Sequence, residues 1–238
     1  MIFYRSIAPI KAMTFDLDDT LYDNAPIIAR MERELLSWLQ VSHPAVAHMG
    51  KTDWLAVKRR VVTQSPDLKS DVTLWRLVQL KQGFLDAGYN SKQAQLAAEQ
   101  GVNVALDWRN RFAVPQQSLD ILMQLGNKVP LIAITNGNVD VDKIGLAPYF
   151  QCVLKAGPDG LAKPAVDMFD KAQRFLNLPA ENILHVGDHL LTDVHGAKRA
   201  GYAACWLNDV NINVNQHPKT RTLPDVEIRS LQTLLDLL

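Results

Sequence analysis

Five short apolar runs constrain this chain more than any other feature: "KAMTFD" (11–16), "VPLIAITN" (129–136), "FQCVLKA" (150–156), "NILHVGD" (182–188) and "AACWLN" (203–208). Each is followed by a turn, and amphipathic stretches near 115–126, 164–177 and 191–200 lie between them. Strands alternating with helices close into a parallel sheet with helices on both faces. Near-continuous apolar runs are what such doubly covered strands require. The fold class read from this pattern is a doubly wound, mostly parallel α/β sheet.

Residues 22–113 break the rhythm. They hold no convincing strand, and Ile27, Ile28, Met31, Leu35 and Leu39 recur at helical spacing after Asn24-Ala25-Pro26. Proline in a first turn suits a helix start. Further helical patterns near 51–63, 71–87 and 92–112 are separated by polar turns. The expected organisation is a core of residues 1–21 and 114–238, with an all-helical insert at 22–113 large enough for its own small core. The polar stretch 208–224 reads as a loop and "SLQTLLDLL" as a closing helix.

The 238 residues carry 25 Lys plus Arg against 25 Asp plus Glu, so no global field advertises nucleic acid or an anionic membrane. The apolar runs are short of the ~20 residues a membrane span needs. The N-terminus lacks the apolar region of a secretory leader. Two cysteines, Cys152 and Cys205, stand in no metal or redox spacing, which fits a reducing compartment. The chain is expected in the cytoplasm, with a small-molecule partner. Oligomeric state is not legible.

In open α/β sheets, ligands bind beyond the carboxyl ends of the strands. There the first run ends in Asp16-Leu17-Asp18-Asp19-Thr20, the second in Thr135-Asn136-Gly137, and the fourth in Gly187-Asp188, with Asp193 beyond. A loop after the third reaches Lys163-Pro164. Clustered carboxylates without arginines call for a hard cation, and oxygen-only donors point to Mg²⁺. Singly, Asp16 or Asp18 would read as a helix cap and Lys163 as a solvated surface residue. Thr20 and Asp19 read as turn and capping residues. His185, His189 and His195 surround Asp188, but their spacing lacks the helical logic of a zinc pair.

Together, "DLDDT", the Thr135 turn, Lys163 before proline and "GDHLLTD" resemble the four motifs of the haloacid dehalogenase superfamily. The resemblance implies a Rossmann-like core with a helical cap that sets substrate selectivity. It implies Asp16 as nucleophile, giving an aspartyl-phosphate, and Asp18 as general acid and base. By the same likeness Asp16, the Asp18 backbone carbonyl and Asp188 hold Mg²⁺, for which Mn²⁺ or Co²⁺ can substitute. Thr135, the adjacent Asn136 amide and Lys163 hold the phosphoryl oxygens, and Asp193 orients the metal shell or Lys163. His189 stands where relatives often carry a smaller or acidic residue. In the cap, Trp75 beside Arg76 suits stacking on a ring and pairing with an anion.

Further stretches, "DVTLWR", "VPQQS", "ITNGN" and "ILHVGD…TDVHGA", resemble the branch of that family acting on flavin mononucleotide and on 5-amino-6-(5-phospho-D-ribitylamino)uracil. The open alternatives are a sugar-phosphate or nucleotide phosphatase, a phosphomutase, a metal-independent 2-haloacid dehalogenase and a non-catalytic binding module.

Overall fold

A computed structural model describes residues 1–214 and 216–238. The chain divides into two compact units, one of residues 1–23, 113–137 and 145–238, the other of 24–112 and 138–144.

The first unit is built on a seven-stranded sheet. Its strands are β1 (Ile2–Phe3), β2 (Ala12–Phe15), β3 (Leu131–Thr135), β4 (Cys152–Lys155), β5 (Ile183–Gly187), β6 (Ala203–Leu207) and β7 (Val226–Ile228), in the order β1-β7-β6-β5-β2-β3-β4. Every pairing is parallel except β1 on β7. β2 lies between β3 and β5, with Met13 opposite both Leu131 and Leu184. All residues of β2, β3, β5 and β6 are buried, the pattern of strands covered on both faces.

The helices of the second unit follow from local signals. In α1 (Ala25–Ser42), Ile27, Met31, Leu35 and Leu39 form the buried stripe. α2 spans Lys51–Gln64. The Asp71 side chain caps α3 (Val72–Asp86) by accepting from Thr73 N and Leu74 N. An Asn90–Gln93 capping box opens α4 (Ser91–Arg109). One core joins Met31, Leu35 and Leu39 to Trp54, Leu80, Phe84 and Ala98. No helix among the described residues is long and apolar enough to cross a membrane.

Returning to the first unit, α5 (Gln116–Gly126) and α6 (Asp167–Leu176) match the expected positions. α6 ends on Asn177 in the left-handed region, φ 52°. The helix expected over 191–200 divides into a π-helical turn, Leu190–His195, and a short α7, Gly196–Arg199. The C-terminal stretch forms a 3₁₀ turn over Leu231–Leu237, not an α-helix.

Candidate active site

Parallel register sets the carboxyl ends of β2, β3 and β5 side by side, and that edge collects the candidate residues. Asp16 directly follows β2 and is 9% exposed. Its Oδ1 lies 2.7 Å from Lys163 Nζ. The same ammonium contacts Asp193 Oδ1 at 2.7 Å and donates to Ile134 O at 2.7 Å. Lys163 is thus a buried cation shared by two carboxylates, far from the solvated lysine its type suggests.

Asn136 explains how Lys163 is held. Its side-chain Nδ2 donates to Lys163 O at 2.9 Å and its Oδ1 accepts from Lys163 N at 2.7 Å. The carboxamide is occupied as a clamp on the Lys163 backbone, which leaves the Asn136 backbone N–H as its candidate contact to a ligand. Thr135 Oγ1 accepts from Gly137 N at 2.9 Å, so its own proton is available for donation. Asp18 Oδ1 accepts from Tyr22 OH at 2.7 Å. A Cβ at Gly137 would collide with Asp18 Oδ2, and that close approach needs glycine.

Asp188 follows β5. Its backbone carbonyl accepts from Trp206 Nε1 at 2.7 Å, and its N–H donates to Thr20 Oγ1 at 3.2 Å. Thr20 also lies 3.3 Å from Asp188 Oδ1. The sequence shows Thr20 only as a turn residue, because its partner is 168 positions away. Asp193 reaches back from the π-helical turn, with Oδ2 accepting from His189 N at 2.9 Å. A Cβ on Gly187 would strike the Asp193 carboxyl group, so glycine there admits the carboxylate to the cluster.

The three histidines go separate ways. His185 Nδ1 faces Thr14 Oγ1, His189 Nδ1 accepts from Thr192 N, and His195 Nδ1 faces Thr222 Oγ1. Among the described residues, the group with oxygens close enough to share a cation is Asp16, Asp188 and Asp193, all within 4.8 Å of one another.

Electrostatics favour a cation there. Burial, then the Asp193 and Asp18 charges, push the Asp16 carboxyl well above its ordinary value, against the pull of Lys163. Burial, with Asp193 and Asp19, pushes Asp188 up to about 7. Burial works against the charged form of Asp193 too, yet Lys163 and His185 hold it low. Burial also opposes charge on Lys163, but Asp16 and Asp193 keep it protonated. One ammonium is shared by Asp16 and Asp193, so the cluster of Asp16, Asp188 and Asp193 holds more carboxylate than cation. These oxygens fit a hard divalent ion.

Trp75 and Arg76 lie on α3 in the helical unit. Trp75 Nε1 donates to Lys58 O at 3.1 Å, and Lys58 Nζ stands 4.6 Å from the ring centroid. The indole packs with Val57, Val61 and Leu68. Arg76 pairs with Glu32 at 2.5 Å.

Residues 10–201 match the family model of the haloacid dehalogenase-like hydrolases, and the chain belongs to that family. Within it the chain is a phosphatase. It is 45% identical over 238 residues, all of both chains, to the 5-amino-6-(5-phospho-D-ribitylamino)uracil phosphatase YigB of Escherichia coli K12. It is 25% identical to the glyceraldehyde 3-phosphate phosphatase of Pyrococcus abyssi, covering 83% of this chain and 81% of that one. Among solved structures it is similar to a 2-haloacid dehalogenase from Pseudomonas syringae pv. Tomato DC3000. That likeness has a TM-score of 0.88 at 35% identity, over 96% of this chain and 97% of that one.

Proposed function

We propose that the enzyme hydrolyses flavin mononucleotide and 5-amino-6-(5-phospho-D-ribitylamino)uracil through an aspartyl-phosphate on Asp16. The full-length identity to YigB supports the substrates. The observation that carries the mechanism is the Asp16–Lys163–Asp193 arrangement, in which one buried ammonium fixes a carboxylate at the end of the central strand.

Asp16 attacks phosphorus and the bond to the leaving oxygen breaks. Asp18, held through Tyr22, protonates that oxygen and later takes the proton of the water that hydrolyses the acyl phosphate. Thr135 Oγ1, the Asn136 backbone N–H and Lys163 Nζ donate to the phosphoryl oxygens. Asp16, the Asp18 backbone carbonyl and Asp188 would hold Mg²⁺, with Mn²⁺ or Co²⁺ as substitutes. When bound, the ion neutralises the carboxylates and the charge that spreads over the phosphoryl group. Asp193 acts through Lys163.

Selectivity is assigned to the helical unit, with Trp75 and Arg76 as candidate contacts to the leaving group. The enzyme is placed in the cytoplasm, in keeping with its two free thiols. A 2-haloacid dehalogenase is the second reading, favoured by the Pseudomonas structure. Halide leaves without needing a proton, however, so an acid at Asp18 and a metal ligand at Asp188 would be of little use in that reaction.

Phosphate release by the purified protein from a panel of esters tests the proposal. The panel should include both flavin-pathway esters, glyceraldehyde 3-phosphate, phosphoglycolate and pyrimidine nucleotides. The flavin-pathway esters should exceed the others by about tenfold or more in kcat/KM. A flat profile would overturn the substrate assignment, and halide release without phosphate release would overturn the reaction.

A further inference from the structure

One buried polar group of the α/β unit has no task in the chemistry above. His185, within β5, is 1% exposed, with Thr14 on β2 at 0%, Asp193 at 1% and Lys163 at 3%. These residues form a chain. Thr14 Oγ1 lies 2.8 Å from His185 Nδ1, and His185 Nε2 lies 3.5 Å from Asp193 Oδ1. Asp193 Oδ1 is 2.7 Å from Lys163 Nζ, which is 2.7 Å from Asp16 Oδ1.

We infer that His185 is a positioning residue, aiming the Asp193 carboxylate at Lys163 and thereby fixing Lys163 against Asp16. The inference rests on the reading of Asp16 and Lys163 as groups that meet the phosphoryl centre.

The tautomer follows from the neighbours. A neutral imidazole donates from one nitrogen and accepts at the other. A proton on Nδ1 would leave the Nε2 lone pair facing a carboxylate oxygen, which is repulsive. The Thr14 hydroxyl therefore donates to Nδ1, and Nε2 carries the proton toward Asp193. Burial pulls the ring down to about 4, which keeps it neutral at physiological pH.

Packing alone does not explain the choice of histidine. The ring stands edge-on to Phe169 with centroids 5.0 Å apart, a contact an apolar side chain could also make. Nδ1 is instead bonded to Thr14 Oγ1, while Nε2 is buried without a hydrogen-bond partner and faces Asp193 Oδ1, an arrangement an apolar side chain would not need. The Nε2 separation of 3.5 Å exceeds an ordinary hydrogen bond, so the contact is an electrostatic one that a small shift of the carboxylate would tighten. When Lys163 turns part of its charge to a phosphoryl oxygen, the His185 N–H stands in for it at Asp193. The carboxylate then does not follow the ammonium.

The test uses p-nitrophenyl phosphate and three variants. His185→Leu should keep the fold by circular dichroism but lower kcat about 10- to 100-fold, the range for partners that orient a site ligand. Its KM should change by less than about threefold, since substrate-touching groups remain. His185→Gln restores a donor toward Asp193 and should recover most of the loss. Thr14→Val should lower kcat alone yet add little to His185→Leu, as expected of one network. A His185→Leu enzyme within about twofold of wild type in kcat, or a Gln variant as poor as the Leu variant, would overturn the proposal.

Nitrogen-15 spectra of the wild-type ring give a readout free of activity. The Nε2–H tautomer is expected, with an Nε2 shift that moves in Asp193→Asn. An Nδ1–H ring overturns the assignment even if His185→Leu fails to fold. Wild-type protein that hydrolyses no phosphate ester would sink the phosphatase mechanism instead, and the spectra would still decide the geometry.

Discussion

The two units bury different things. The α/β unit places Asp16, Lys163, His185 and Asp193 in its interior, where charge is costly unless paired. The helical unit buries mainly hydrocarbon, with Trp54, Leu80 and Phe84 at its centre and Gln79 and Arg109 as buried polar exceptions. Its Arg60–Asp86 and Arg111–Asp107 pairs are each about half exposed. Such surface pairs contribute only ~0–1 kcal/mol. The α/β unit accepts electrostatic cost for chemistry, whereas the helical unit follows the ordinary rules of packing. Substitutions in the first should therefore act on turnover, and those in the second on stability or selectivity.

The sharpest break in that comparison is Asp16→Asn, which keeps shape but removes the attacking charge. Turnover should drop to background, on the order of the ~10⁶ lost when a nucleophile is removed, with circular dichroism unchanged. Retention of a tenth of wild-type turnover would show that another group attacks phosphorus.

Chelation comes next. EDTA should abolish phosphate release and Mg²⁺ restore it, whereas full activity in chelator would revive the dehalogenase reading. Stability supplies a second readout without metal. Asp188 is raised from 3.8 to about 7 in the folded protein, so the folded state holds a proton the unfolded chain has released. Stability of the metal-free protein should thus fall as pH rises from about 4 to about 7. Asp188→Asn should flatten that slope, and Mg²⁺ should raise the melting temperature most at the upper end. An equal slope in wild type and variant would place the titration elsewhere.

Gly187→Ala should cost about 10- to 100-fold in kcat, because the new methyl displaces Asp193 and with it Lys163. Unchanged kinetics would mean that Lys163 does not depend on Asp193.

The smallest effect is expected in the helical unit. Trp75→Ala should raise KM for flavin mononucleotide about tenfold, within the ~1–3 kcal/mol of base–aromatic stacking, and leave p-nitrophenyl phosphate nearly untouched. Equal losses on both substrates, with a lower melting temperature, would instead make Trp75 a packing residue, tied to α2 through Lys58 O.

The sequence pattern reveals β2, β3, β5 and β6 because strands buried on both faces must be apolar throughout. It conceals β7, a three-residue strand interrupted by Glu227. That glutamate is tolerated at 5% exposure because Tyr4 OH and Asn208 Nδ2 donate to it, partners that no local window contains. The closing helix is also legible, though its 3₁₀ form over Leu231–Leu237 is not. Of the proposed site, Asp16, Asp18, Thr135, Lys163 and Asp188 stand out in the sequence because each is polar where an apolar strand stops or its loop returns. The Thr14–His185 pair does not, since 171 positions separate its members and only strand register joins them.

The central place of β2 has a consequence for how the protein is made. Lys163 and Asp188 reach their partners across 147 and 168 positions of chain, so no short fragment holds the whole centre. Sequence-distant pairing is slow, because the loops must close before the contacts reward them. The α1–α4 segment closes over shorter spans, its first helix packing on its fourth within 24–112, and can form before β5 is made. Catalytic competence therefore arrives last, when β5 settles beside a strand made some 170 residues before it.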